Sequence, residues 1–263
     1  MAPMPRVLLA ALSLSMLAGC QRREPAVVET DAMLALGHAE QLNSSTRTFT
    51  VGGRPILFTR LNGTAEITVV DTAEASLRFT ERVPGDGTPN AVVTDVLAGP
   101  QVRFTVERGE GQTNPVDVQG VVPKGTPLEF RTEAGTVVVR NPDARVAVRM
   151  QNGTVQVSGV RADLVLDVDN GTVDASYAVL AGTQHLRTRN GSIAVYLPRS
   201  ASATVSARSG VGIDVEGLDL PAPRDVQGTQ RLTGGLGTGR YPMSLLATNG
   251  SILIAALPAD SSR

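Results

Sequence analysis

From Arg47 onward, apolar and polar residues alternate with period two, the signature of half-buried strands. Arg47 to Val51, Pro55 to Leu61, Thr64 to Val70, Ala75 to Glu81, Val102 to Arg108 and Val116 to Val122 all read this way. Gly52-Gly53, Asn62-Gly63, Pro84 to Pro89 and Gly109 to Pro115 punctuate them as turns and loops. With no long amphipathic helix in this region, the predicted class is all-β.

In the second half the alternation falls into a repeat: a polar residue, a small turn residue, Gly, then a β-branched strand. The copies carry Gly135, Gly153, Gly171, Gly191, Gly210 and Gly250, with Gly63 in an earlier, divergent copy. Successive glycines are 18 (135 to 153), 18 (153 to 171), 20 (171 to 191), 19 (191 to 210) and then 40 (210 to 250) residues apart. A period near twenty marks a repeat architecture, and 40 reads as two periods with a degenerate unit. Asn152, Asn170, Asn190 and Asn249 precede their glycines, and Asn-Gly tolerates positive φ cheaply. Such a pair makes either a tight hairpin turn or the bend between strands of a coil. The period favours a repetitive β-solenoid, a right-handed parallel β-helix-like stack; a β-meander or sandwich is the alternative. In the stack, Val137, Val155, Val173 and Ile193 form one buried ladder, while Thr154, Thr172 and Ser192 point the other way. The Gly234 to Gly239 segment breaks the series, and Tyr241 to Ala247 with the Asn249-Gly250 copy is expected to cap it.

The amino terminus has a different pattern. Arg6 precedes an apolar run from Val7 to Ala18, too short to span a membrane, that ends in Leu17-Ala18-Gly19-Cys20. This ending resembles the bacterial lipobox. The resemblance implies cleavage before Cys20, diacylglycerol on its thiol and acylation of the new amino terminus. Cys20 is the only cysteine, so it has no intrachain disulfide partner. Stable anchoring takes more than one acyl chain, which this modification supplies. Gln21 follows, not Asp, which in a two-membrane bacterium favours the outer membrane. The expected organisation is a signal peptide over 1–19, a polar tether over 20–45, the β-repeat domain over 46–258 and a tail over 259–263. Within the tether, Asp31 to Leu42 reads as a short helix or a flexible linker.

Composition adds restraint. Aromatic residues make up 3% of the chain and there are 27 glycines, which suits narrow coils filled with Val, Ile, Leu and Ala. The formal net charge of −1 gives no reason to expect nucleic acid as a partner.

Catalytic and metal motifs are sparse. His38 and His185 lack zinc-ligand spacing. Ala207 to Val211 lacks the first glycine of a nucleophile elbow, and the glycines at 234–239 are not followed by the Lys-Ser/Thr of a phosphate loop. Asp163, Asp167, Asp169 and Asp174 cluster around one turn, but neither calcium-loop order fits, and Asp167 and Asp169 read as a solvated strand face. With Asp143 they are the candidates for a polysaccharide-cleaving carboxylate pair. Five of the six Asn-x-Ser/Thr sequons are these same Asn-Gly turns.

Three stretches carry a family resemblance: Thr48-Phe49-Thr50-Val51 with Leu61-Asn62-Gly63-Thr64-Ala65-Glu66-Ile67; Val121 to Leu128 running into Thr132-Glu133-Ala134-Gly135; and Leu245 to Ile252 with the Asn-Gly-Thr/Ser copies. Together, over about residues 46 to 257, they resemble the putative-adhesin domain family of bacterial envelope proteins, a LiaG-like domain of unknown function. The family implies a β-solenoid-like domain on the surface or in the periplasm and supplies no catalytic residues.

The expected function is a non-catalytic, lipid-anchored envelope scaffold that binds an envelope polymer or protein, without metal or cofactor. The alternatives are a β-helical enzyme acting on polysaccharide and a structural or stress-response envelope component.

Overall fold

The computed structural model describes residues 41–258 apart from 84, 86 and 112, and these belong to one compact unit. Cys20, the signal segment, His38 and most of the Asp31 to Leu42 stretch lie outside the described residues; Gln41 and Leu42 open the first strand. The described residues contain eighteen strands and no helix.

In chain order, the first seven are β1 (Gln41–Phe49), β2 (Ile56–Thr59), β3 (Thr64–Val70), β4 (Ala75–Val83), β5 (Ala91–Val96), β6 (Val102–Arg108) and β7 (Val116–Pro123). Three long strands follow: β8 (Leu128–Arg140), β9 (Val146–Val160) and β10 (Leu164–Tyr177). Then come β11 (Gln184–Asn190), β12 (Ile193–Leu197), β13 (Ala203–Ser209), β14 (Gly212–Glu216), β15 (Arg224–Val226), β16 (Thr229–Leu236), β17 (Tyr241–Asn249) and β18 (Ser251–Ala256). They form one mixed sheet that does not close.

The repeats pair in parallel, not as hairpins. Leu128 lies beside Val146 and Val146 beside Leu164, offsets of 18 residues each (128 to 146, 146 to 164). Glycine aligns with glycine, Gly135 on Gly153 on Gly171, and asparagine with asparagine. The parallel rows continue through β11 and β12, then through β17 and β18. In β8, β9 and β10 the strand continues through the glycine, so the repeat unit is one long strand with a bend in it.

Two physical demands fix glycine at the bend. First, φ is +126° at Gly135, +142° at Gly153, +151° at Gly171 and +141° at Gly191, a region closed to residues with a Cβ. Second, a Cβ at any of these positions would collide with the carbonyl oxygen of the glycine in the adjacent copy: Gly63, Gly135, Gly153 and Gly171 in turn. The asparagines do other work. None of Asn152, Asn170, Asn190 and Asn249 has positive φ. Their side chains form a ladder instead: the Asn170 amide donates to Asn152 at 2.9 Å, Asn190 to Asn170 at 2.7 Å and Asn249 to Asn190 at 2.8 Å. The expectation that Asn shares the positive-φ role is therefore corrected, because glycine alone makes the bend.

Two further expectations change. The last copy does not cap the stack: β17 and β18 lie between β11–β12 and β13–β14, so the chain returns to fill a gap. The 40-residue interval holds no degenerate coil either. It holds β15 and β16, antiparallel to each other, with β16 antiparallel to β13. The Gly210 copy at that end has Ser209 in place of Asn. The Ser209 hydroxyl donates to the Gly250 carbonyl at 2.5 Å and accepts from the amides of Val211 and Gly212, so the asparagine ladder stops at Asn249.

The inward faces supply the core. Val137, Val155, Val173, Ile193 and Ile252 are buried in one row; Phe130, Val148, Leu166, Leu186 and Leu245 are buried in a row on the facing limb. All five phenylalanines are buried, and four centre on Phe104, with Phe58 stacked on Phe130 at 4.9 Å between centroids. The phenylalanines thus sit among β1, β2, β4, β6 and β8, and beyond them the buried rows are aliphatic apart from Tyr177 on β10.

Glu81 on β4 is a buried carboxylate, 3% exposed. Burial pushes its pKa up, but the Asn90 amide, the Asn114 side chain, the Ala91 amide and Asn43 outweigh burial and hold it below the ordinary value of 4.5. A carboxylate with a depressed folded pKa stabilises the fold above its unfolded pKa, and that contribution is lost as pH falls through the folded value. The melting temperature should therefore fall on acidification below about pH 4.5. Glu81→Gln should flatten that fall; an unchanged slope would show that Glu81 does not set it.

Candidate functional site

Because the repeat copies pair in register, a given position of the repeat recurs as a row across the outer face. The position four residues before the bend glycine holds Arg131, Arg149, Asp167 and Arg187, side by side on β8, β9, β10 and β11. Two residues on, Glu133, Gln151, Asp169 and Arg189 form a second polar row. Between these rows and Arg60 lies an open cleft of about 400 Å³ on the face of β8 to β10. Arg60 enters it with φ of +60°, a strained setting for a non-glycine residue, pinned by its amide to the Arg131 carbonyl at 3.0 Å.

Several of the charges pair, within a strand or along the rows. Arg131 meets Glu129 at 2.7 Å, Arg189 meets Asp169 at 3.2 Å, and Arg187 approaches Asp167 at 4.0 Å. Such half-exposed pairs add about 0–1 kcal/mol each and mainly set the pattern of charge. Among the described residues the side chains of Arg60 and Arg149 have no ion-pair or hydrogen-bond partner, so two guanidinium groups in the cleft remain available.

The aspartates picked out by sequence do not converge. Asp163 accepts the Thr183 amide at 2.6 Å and Asp143 the Gly125 amide at 2.8 Å, both tying loops between coils. Asp167 and Asp169 face arginines, and Asp174 lies past the bend on the other limb, where burial raises its pKa. A glycoside-cleaving pair needs its two carboxyl groups across one bond; here Asp174 is on a different limb from Asp167 and Asp169. Among the described residues no group of three or more His, Asp or Glu is placed to hold a metal ion. His185 is exposed on the outer face of β11. Gly63, Gly135, Gly153, Gly171, Gly191, Gly210 and Gly250 line the bend and support the outer rows without entering the cleft.

Sequence reasoning overlooked the arginine row. The signal was available: aligning the copies on their glycines places Arg131, Arg149, Asp167 and Arg187 in one column.

No protein-family profile matches the chain, and neither does any curated protein. Solved structures similar to it include a putative cell adhesion protein from Clostridium sporogenes, 12% identical with a TM-score of 0.41, covering 82% of this chain and 100% of that one. A putative adhesin from Bacteroides fragilis is 12% identical with a TM-score of 0.45, covering 82% of this chain and 97% of that one. A putative adhesin from Parabacteroides distasonis is 10% identical with a TM-score of 0.28, over 82% and 97%.

Proposed function

We propose that this chain is a non-catalytic binding scaffold of the bacterial cell envelope, held at a membrane by lipid on Cys20, its bent parallel strands forming a solenoid-like stack. The observation that carries this reading is the in-register outer face. Parallel stacking turns a residue of a short repeat into a row across many strands, a surface suited to an extended partner. The lipobox-like Leu17-Ala18-Gly19-Cys20 and the lone cysteine support the anchor, and the sequence resemblance to the putative-adhesin domains agrees with a binding role. The separated aspartates count against the polysaccharide-cleaving alternative, since general acid catalysis needs the acid and its partner at one bond.

Two measurements test the reading. Metabolic labelling with a fatty-acid analogue should mark the wild type and spare Cys20→Ser; equal label would overturn the anchor. The purified full-length protein in detergent should be retained on delipidated envelope fractions and release no new reducing ends; their release would establish catalysis instead.

A further inference from the structure

The outer row of arginines continues beyond the cleft. Past Arg187, Leu246 on β17 occupies the row, and then Arg208 on β13 faces Arg231 on β16, which faces Arg224 on β15. The three arginines are exposed, and Arg231 has one on each side. Among the described residues none of the three has an ion-pair or hydrogen-bond partner, in contrast to Arg131, Arg187 and Arg189. The residues two positions away on the same strand faces are Ser206, Gly210, Thr229, Thr233, Ala222 and Val226, none of them charged. Like charges directly opposite in a sheet are destabilising. The sequence therefore maintains an unfavourable arrangement that an anion would reverse.

Resting on the scaffold reading above, we propose that the face of β13, β16 and β15 binds a linear acidic polysaccharide through the carboxylates of successive uronic acid residues. The chain would run across the strands. Adjacent strands are about 4.8 Å apart, close to the length of one pyranose ring, so one ring carboxylate meets one guanidinium. A guanidinium presents a planar fork that matches a carboxylate. The polymer continues over Leu246 to Arg187 and stops there, because Asp167 is next in the row. Single-stranded nucleic acid would need aromatic platforms for its bases. This face offers none: every phenylalanine and Tyr177 are buried, Tyr241 on β17 packs against the core, and Tyr196 lies on β12 of the other limb.

The test uses the full-length protein in neutral detergent, titrated calorimetrically with hexagalacturonate, with neutral maltohexaose, an oligonucleotide and anionic lipid vesicles as comparison probes. Hexagalacturonate should bind, and more weakly as salt rises. Arg231→Gln should weaken it about tenfold or more, the loss of one charge-assisted pair. Arg161→Gln, in a loop between coils, should leave it unchanged. Without ligand, Arg231→Gln should melt no lower than the wild type, because it removes like-charge repulsion; this separates lost contact from lost fold. The inference is overturned if wild type and Arg231→Gln bind hexagalacturonate equally, if neither binds it, or if the oligonucleotide or the vesicles bind as tightly with the same dependence on Arg231. Retention on envelope fractions unaffected by Arg231→Gln would remove this inference and leave the scaffold reading standing.

Discussion

Replacing Gly171 with alanine is expected to destabilise the full chain by about 3 kcal/mol or more. Two penalties coincide there. The φ of +151° is strained for any residue with a side chain. The added Cβ would also strike the Gly153 carbonyl oxygen, and Gly153 is held by the same contact to Gly135. Other glycines separate the two effects. Gly111 has φ of +74° but open space around it, so alanine there should cost about 1 kcal/mol from strain alone. Gly250 lacks the positive φ, yet a Cβ would strike the Gly191 carbonyl, so alanine there reports the close approach alone. Denaturant melts should rank Gly171→Ala as the most damaging and Gly111→Ala as the least. Equal losses at Gly111 and Gly171 would show that the repeat copies are not packed backbone to backbone.

Val173→Asp should be comparably severe, about 4 kcal/mol. Val173 is 1% exposed, between Val155 of the preceding coil and Ile193 of the next. A carboxylate there has no partner and no route to water. Thr172, one residue earlier, is exposed and turned to the opposite face, with only a 3.3 Å hydroxyl contact to Thr154. Thr172→Asp should change stability by about 0.5 kcal/mol or less. Hydrogen exchange over residues 150–200 should rise sharply for the Val173 variant and stay near wild type for the Thr172 variant. Equal exchange in the two would mean that the face assignment is wrong.

The contrast between these two neighbours was legible in the sequence, because period-two alternation and a fixed glycine spacing together assign a face to every residue of a copy. The bend glycines were legible for the same reason. The asparagine ladder was not: turn chemistry explains Asn-Gly adequately one copy at a time, and the amide-to-amide bonds exist only between copies. The place of β17 and β18 was hidden too. Sequence order suggests stacking order, but β13 with β16 and β15 builds an antiparallel edge first, and the last copy then enters between β11 and β13. The candidate surface was half legible. Arg131, Arg149 and Arg187 align on their glycines, whereas Arg208 is two residues from Gly210 and Arg231 and Arg224 lie outside any copy. Only strand order brings these arginines into one row.

That order can be measured directly in the full chain carrying Cys20→Ser, so that introduced thiols have no other partner. Ser206 and His185 each lie beside Ser244 on β17, one on either side. Adjacent strands place Cα atoms about 4.8 Å apart, within disulfide reach, whereas strands two steps apart are about 10 Å distant and beyond it. Oxidation should close the Ser206→Cys/Ser244→Cys pair and the His185→Cys/Ser244→Cys pair, and leave His185→Cys/Ser206→Cys as free thiols. A disulfide in the His185/Ser206 pair, with free thiols in the other two, would put β13 against β11 and contradict the stack on which the binding face depends.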